Sequence, residues 1–341
     1  MEKPTLDKFP RRVLAGIDIQ KAFIVSRLIV AAERVQVFRV LHGKRMTRNA
    51  LGRKLGIDPL YAREFLDSLV AVGLLRKKRD EYWNSALAEK YFVEGRSVYW
   101  TRQYSRECVD AFERMTLLEK VLASGRNYES LRGRKGPSYV EVMKRDRGQA
   151  EDFTQMLFHY HREDAAELAK YLDLSRHERL LDVAGGSGVM SVALAKKNPR
   201  LRASVLDIAT VCEVAKGNIR RAGLTSRVKT LAGDIRRRLP GGYDVILFSD
   251  VGPVSNQLLR NAYRSLPPGG MIVLVDRYFS ADGLQPLDRL MEYFAGSSFG
   301  HASWKEMVNE LKAFGFRRVK AHRFFRDVWC VTGVKSGQPR S

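Results

Sequence analysis

Cysteine is scarce. The chain holds three in 341 residues, Cys108, Cys212 and Cys330, far apart and without the short paired spacings of a zinc site or a disulfide framework. They read as small buried apolar residues, and no metal site is expected. Long apolar runs are also missing. No stretch approaches the roughly 20 residues that cross a bilayer, and the opening MEKPTLDKFPRR lacks the apolar core of a signal peptide. No membrane span and a cytoplasmic location are therefore expected. Acidic residues are in deficit, 38 against 60 Lys and Arg, for a net charge of +22. Such a surface attracts nucleic acid, anionic membranes or anionic small molecules. The excess is spread along the chain, with short runs at Arg76-Lys77-Lys78-Arg79, at Arg132 to Lys135 and at Arg236-Arg237-Arg238. No RNA-binding motif lies beside these runs, so they read as a solvated surface.

What is present is the composition of a folded protein, 45% hydrophobic and 29% charged, at a length comfortable for two domains. From Ile17 to about Val40, apolar residues (Ile24, Leu28, Ala31, Val35, Phe38) recur at helical spacing. Thr47 supplies the cap of a second helix through Leu55. Asp58-Pro59 supplies a cap and a favoured first residue for a third, which carries Phe65, Leu66, Leu69 and Val72 and stops at Gly73. Leu74-Leu75 and Tyr82-Trp83 then flank a charged turn, as two strands of a wing would. This is the winged helix-turn-helix order. DNA binding is the obvious use, but the third helix opens Pro59-Leu60-Tyr61-Ala62-Arg63-Glu64, with one basic side chain to offer. The apolar segment from Tyr99 to Leu118, with Trp100, Tyr104, Phe112 and Met115, favours subunit contact instead. A homodimer through this domain is expected, and nucleic acid is not favoured.

A Gly-, Ser- and Arg-rich connector spans about Ser124 to Pro137, and helical periodicity resumes from Tyr139 to Leu172. Next, Arg179-Leu-Leu-Asp-Val-Ala-Gly-Gly-Ser-Gly188 is a short apolar strand running into a glycine turn and a helix. That sequence suits a nucleotide, because glycines let the backbone approach and the helix start offers free N–H groups. Alone it is weak evidence, and a dinucleotide enzyme is its rival. Four further segments follow at nucleotide-site separations. Ala203–Asp207 is a strand ending in an acid, where a carboxylate accepts from ribose hydroxyls. Val228–Asp234 ends in Gly-Asp, Gly242–Ser249 is a fourth strand, and Leu266-Pro-Pro-Gly-Gly leads into a fifth ending at Asp276.

Together these residues resemble the class I S-adenosylmethionine-dependent methyltransferases: DVAGGSG at 182–188 as first motif, LDI at 206–208, AGD at 232–234 and LPPGG at 266–270. The N-terminal winged helix narrows the resemblance to the small-molecule O-methyltransferases. So do Phe153-x-x-Met156, Ser303-Trp-Lys-Glu-Met and Ala313-Phe-Gly-Phe316. The resemblance implies an α/β fold, a Rossmann-like methyltransferase sheet with helices on both faces, plus a mainly α N-terminal winged-helix domain. It divides the chain into a winged-helix dimerisation domain (1–125), a helical connector (126–172), a donor-binding domain (173–336) and a tail (337–341). S-adenosyl-L-methionine is the implied cofactor. Its implied contacts are Asp182, Gly185, Gly186, Gly188, Asp207, Ile208, Gly233, Asp234, Ile235 and Ser249. Met156, His159, Phe294 and Trp304 are the implied walls for a hydrophobic, cyclic acceptor that is methylated on oxygen or carbon.

The sequence departs from the family where a His-Asp-Trp segment follows the fourth strand, its histidine taking the acceptor's proton. Here the chain reads Phe248-Ser-Asp-Val-Gly-Pro-Val-Ser-Asn-Gln257 and is shorter. The family's Gly-x-Glu-Arg-Thr pattern becomes Gly300-His301-Ala302-Ser303, which makes His301 the candidate base. In-line positioning can supply much of the acceleration by itself. His161 is expected in a solvated position, and His42, His177 and His322 have no supporting context. Two other classes stay open, an RNA methyltransferase and a regulator that uses the donor domain as a sensor.

Overall fold

The computed structural model describes residues 22–93, 102–133, 138–252, 254–279, 303–325 and 328–336. Two compact units emerge, Met1–Thr116 and Leu117–Ser341.

In the first unit, α1 (Ala22–Arg34) and α2 (Val37–Val40) are separated by Gln36, whose backbone is left-handed (φ 61°). The apolar pattern reads as one helix because glutamine carries no stop signal. β1 (Met46–Thr47) leads to α3 (Arg48–Leu55), which Thr47 caps by accepting from the Ala50 N–H. Asp58 accepts from Leu60 N–H ahead of α4 (Pro59–Ala71). β2 (Leu75–Lys78) and β3 (Glu81–Asn84) form a hairpin around Arg79, and β1 adds to the far side of β3. Then come α5 (Ala86–Tyr91) and α6 (Arg102–Met115). Leu51, Leu66, Leu69, Leu74 and Tyr82 make a sealed core with Phe38.

The second unit opens with α7 (Leu118–Ser124) and α8 (Tyr128–Arg132), the latter inside the Gly-, Ser- and Arg-rich part of the connector. The stretch that reads as continuous helix from Tyr139 to Leu172 is three helices, α9 (Tyr139–Arg145), α10 (Arg147–Tyr160) and α11 (Arg162–Tyr171). Asp146 makes the first break: it is extended and its side chain accepts from the Gln149 N–H, a local bond that competes with the helix. His161 makes the second.

Seven strands follow: β4 (Arg179–Val183), β5 (Arg202–Asp207), β6 (Val228–Ala232), β7 (Val245–Ser249), β8 (Met271–Arg277), β9 (Phe316–Phe325) and β10 (Val328–Lys335). Their order is β6-β5-β4-β7-β8-β10-β9, with the first five parallel and β10 antiparallel to both neighbours. Strand alternation divides the core between two faces. Leu180, Val245, Leu247 and Val273 pack with α11, α12 (Val189–Lys197) and α13 (Ala209–Arg221). Leu181, Ile246, Phe248 and Ile272 pack with α14 (Asn256–Ser265) and α15 (Trp304–Ala313). Both faces are covered, which a parallel sheet requires. The chain crosses from the β5 side of β4 to the β7 side, so the carboxyl ends of β4 and β7 flank a switch point, where ligands bind in such sheets. Cys212 and Cys330 are buried free thiols, and the side chain of Cys108 lies outside the described residues. Among the described residues no helix is long and apolar enough to cross a membrane.

Candidate active site

The turns that follow β4 and β7 flank that switch point, and the turns after β5 and β6 lie beside it along the sheet. Asp182, near the end of β4, is fully buried. Its Oδ2 accepts from Ser191 Oγ at 2.7 Å, while Oδ1 has no hydrogen-bond partner within the chain. Burial pushes its carboxyl up to about 6. Gly185 follows because nothing larger fits: a Cβ there would stand 2.6 Å from Asp182 Cγ. Gly186 and Gly188 turn left-handed (φ 52° and 74°) to start α12. Asp207, at the end of β5, accepts from the Gly186 N–H at 2.9 Å and the Ile208 N–H at 2.7 Å. Burial raises its carboxyl, and those two backbone bonds pull the other way. Each oxygen keeps a lone pair for a further donor.

Gly233 N–H donates to the Asp207 carbonyl, and a Cβ on Gly233 would meet Leu206 at 2.8 Å. The turn is thereby drawn against β5. Asp234 is already engaged: the Arg236 guanidinium forks onto both its oxygens at 2.6–3.1 Å and holds its carboxyl far below the usual range. Ile235 packs half-buried on the β7 side of the core, and Ser249 is half-buried at the end of β7.

On the facing helix, Phe153 of α10 packs with Ile208 and Val211, bringing α10 to the lip of the glycine turn. Met156 and His159 lie one and two turns further on, both half-buried, with the His159 ring edge-on to Phe158. Trp304 starts α15 and is stacked on Trp329 of β10 (4.8 Å, 15°), opposite Asp276 of β8. It is brought to the carboxyl end of the sheet with one ring face occupied. Phe294 and His301 lie outside the described residues.

His161 corrects the sequence reading. Its side chain is 12% exposed, not solvated: Nδ1 lies 2.8 Å from Asp164 Oδ2 and Nε2 lies 3.1 Å from Asp250 Oδ2. Both carboxylates take a ring N–H, and although burial works against charge they raise the imidazole to about 9. Asp250 directly follows β7. It holds a left-handed φ of 51° and donates its N–H to the Val275 carbonyl. The Tyr139 hydroxyl is raised by burial first, and then by the fields of Asp207 and Asp250 together. Little in the local sequence announced this cluster. The one available sign was His-x-x-Asp at helical spacing in 161–164.

A model of the O-methyltransferase domain matches residues 115–307. The chain belongs to the O-methyltransferase family. Over 319 residues it is 26% identical to 3-hydroxy-5-methyl-1-naphthoate 3-O-methyltransferase of Streptomyces sahachiroi, covering 90% of each. It is 25% identical to the N,N-dimethyltransferase OxyT of Streptomyces rimosus, covering 94% of this chain and 95% of that one. The solved structure of PigF with SAH superposes with a TM-score of 0.82 at 18% identity, over 93% of this chain and 97% of that one. This O-methyltransferase is an enzyme that uses S-adenosylmethionine. The residues present fit that donor. The unpartnered Asp182 oxygen, the side-chain-free approach at Gly185 and the acceptor capacity of Asp207 are what a ribose and an aminoacyl group require.

Proposed function

We propose that the enzyme methylates a hydroxyl on a hydrophobic, cyclic small molecule, and that Asp207 is the anchor of its donor site. The carrying observation is Asp207 itself, 8% exposed at a strand end, with its oxygens aimed by two backbone N–H groups of the glycine turn and the next helix. In this reading Asp207 and Ile208 take the ribose, and Asp182, Gly185, Gly186 and Gly188 take the aminoacyl side. Gly233, Asp234 and Ile235 border the adenine, with Ser249 below. Adenine contact at Asp234 then shares the carboxylate with Arg236. The donor supplies an electrophilic methyl group. The chain's own part is to hold the acceptor in line and keep water out, with Met156, His159 and Trp304 as walls.

The names of the naphthoate relative and of the tetracenomycin 8-O-methyl transferase from Streptomyces glaucescens support an aromatic hydroxyl as the nucleophile. The test is product mass after incubation with S-adenosylmethionine and each of 3-hydroxy-1-naphthoate, N-acetylserotonin and L-tyrosine. A gain of one methylene unit on a hydroxylated ring is expected. No methylated product from any of the three, with donor binding intact by calorimetry, overturns the acceptor class.

In the same reading the N-terminal unit is a winged helix reused for homodimer contact. Phe23 and Ile24 of α1 and Phe112 of α6 are 54%, 49% and 43% exposed. On α4, the helix that would read DNA, Leu60 and Tyr61 stand outward, and the one basic residue of its first turn, Arg63, faces Asp67 at 3.9 Å. An apolar, charge-balanced surface fits a protein better than a phosphate backbone.

A further inference from the structure

We propose that Asp250 is the carboxylate that takes the acceptor's proton, and that His161 with Asp164 is the clamp that aims it. The inference rests on the acceptor reading above, in which the nucleophile is a hydroxyl. Four observations carry it.

The first is place. Asp250 is the residue after Ser249, at the carboxyl end of β7, the strand paired with β4 on the side away from Asp207. The second is restraint. Its backbone is held by the Val275 carbonyl, and its Oδ2 lies 3.1 Å from His161 Nε2, whose other nitrogen lies 2.8 Å from Asp164. A neutral imidazole has one N–H and cannot donate to two carboxylates, so the clamped ring is an imidazolium. One positive charge between two negative ones leaves the cluster with a net negative charge. The third is access. Among the three side chains exposure rises outward, from 10% at Asp164 and 12% at His161 to 31% at Asp250. The fourth is its neighbour. Tyr139 on α9, whose ring packs on Phe153 of α10, lies within the fields of both Asp207 and Asp250.

A hydroxyl acceptor must lose a proton, and no histidine occurs anywhere between Ser249 and Met271. As the acceptor oxygen bonds to the methyl carbon, the carbon–sulfur bond breaks with its electron pair on sulfur. The hydroxyl proton passes to Asp250, which returns it to water. The same charge sets specificity: a nucleophile that arrives with a proton, a phenol, enol or amine, is held, and a carboxylate nucleophile is repelled. The charged groups facing His161 are Asp164 on its own side and Asp250 from β7, with the Tyr160 ring edge-on beside it. Above about pH 9 the imidazolium loses its proton, one of its two bonds goes, and Asp250 is no longer aimed.

The experiment compares wild type, Asp250→Asn, His161→Gln and Asp164→Asn on 3-hydroxy-1-naphthoate, N-acetylserotonin and L-tyrosine across pH 6–10, with S-adenosylhomocysteine affinity measured by calorimetry. Asparagine accepts a left-handed backbone readily, so Asp250→Asn removes the charge without straining the turn. Its kcat is expected to fall about a hundredfold or more, as for loss of a general base, with S-adenosylhomocysteine affinity unchanged. The wild type is expected to lose activity along an alkaline limb near pH 9, and His161→Gln is expected to lose about tenfold in kcat and to lack that limb. The His161 imidazole resonance is expected to titrate near 9 in the wild type and lower in Asp250→Asn, and equal values would remove Asp250 from the clamp. A wild type inactive on all three compounds overturns the acceptor reading itself. An active wild type whose Asp250→Asn and His161→Gln variants keep its kcat and pH profile overturns the assignment of Asp250 alone. Should Asp250→Asn fail to fold, His161→Gln decides by the same criterion.

Discussion

Asp207 and His161 differ in what sequence could say about them. Asp207 is placed by neighbours close in the chain pattern: a strand, a glycine turn 19–22 residues earlier and the helix that follows. Its position at a strand end beside the glycine turn was legible because strand–turn–helix spacing itself builds that arrangement. Replacing it with alanine removes a buried acceptor of charge-assisted bonds, which is worth about 1.5–3 kcal/mol, or one to two decades of affinity. Calorimetry with S-adenosylhomocysteine should show that weakening, and unchanged affinity would remove Asp207 from the site. His161 takes its meaning from Asp250, 89 residues away, a pairing that exists only after the sheet has closed. Its stability effect has a definite sign. The folded state raises the imidazole from 6.5 to about 9, so the protonated clamp stabilises the fold fully below pH 6.5, and that stabilisation is lost as pH rises through about 9. At about 1.4 kcal/mol per unit this amounts to roughly 3 kcal/mol. Urea unfolding at pH 6 and pH 10 should show the wild type losing about that much more stability than His161→Gln, and equal losses would mean the clamp is not an ion pair.

Among elements, those with explicit boundary chemistry were readable and those without were not. The caps at Thr47 and at Asp58-Pro59, and the five parallel strands with their glycine turns, correspond to named residues with a mechanical reason to be there. The break at Gln36 and the antiparallel pair β9–β10 have no such mark, whereas the division at Asp146 has a capping side chain that the helical periodicity around it hides. Phe316–Phe325 carries Arg317, Arg318, Lys320 and Arg323 without strict alternation and becomes a strand because β10 offers an edge, a tertiary reason. Asp58→Ala tests the readable kind. It deletes the bond to the Leu60 N–H and leaves a helix start uncapped, so the protein should lose about 1 kcal/mol. Chemical denaturation should show a lower midpoint with an unchanged slope. A midpoint equal to wild type would mean that water or a neighbour already satisfies that N–H.

At the scale of the molecule, charge and apolar surface oppose each other. Every copy carries +22, so two copies repel, and a homodimer must be held by surface that water disfavours. The described N-terminal unit offers such surface: Phe23 is stacked on Phe112 at 6.2 Å, Arg27 lies 5.8 Å from the same ring, and both phenylalanines are more than two-fifths exposed. Two consequences separate this arrangement from a dimer held by ion pairs. Added salt should tighten association, because it screens repulsion between like-charged copies while leaving apolar burial intact or strengthened. Joint substitution of Phe23 and Phe112 by serine should release the monomer, and serine is chosen because an acidic replacement would attract a basic partner and obscure the loss. Light scattering on the full chain at low and high salt reads both effects. Dissociation on adding salt would show the interface to be electrostatic, and a dimer that persists in the double variant would place it on another face.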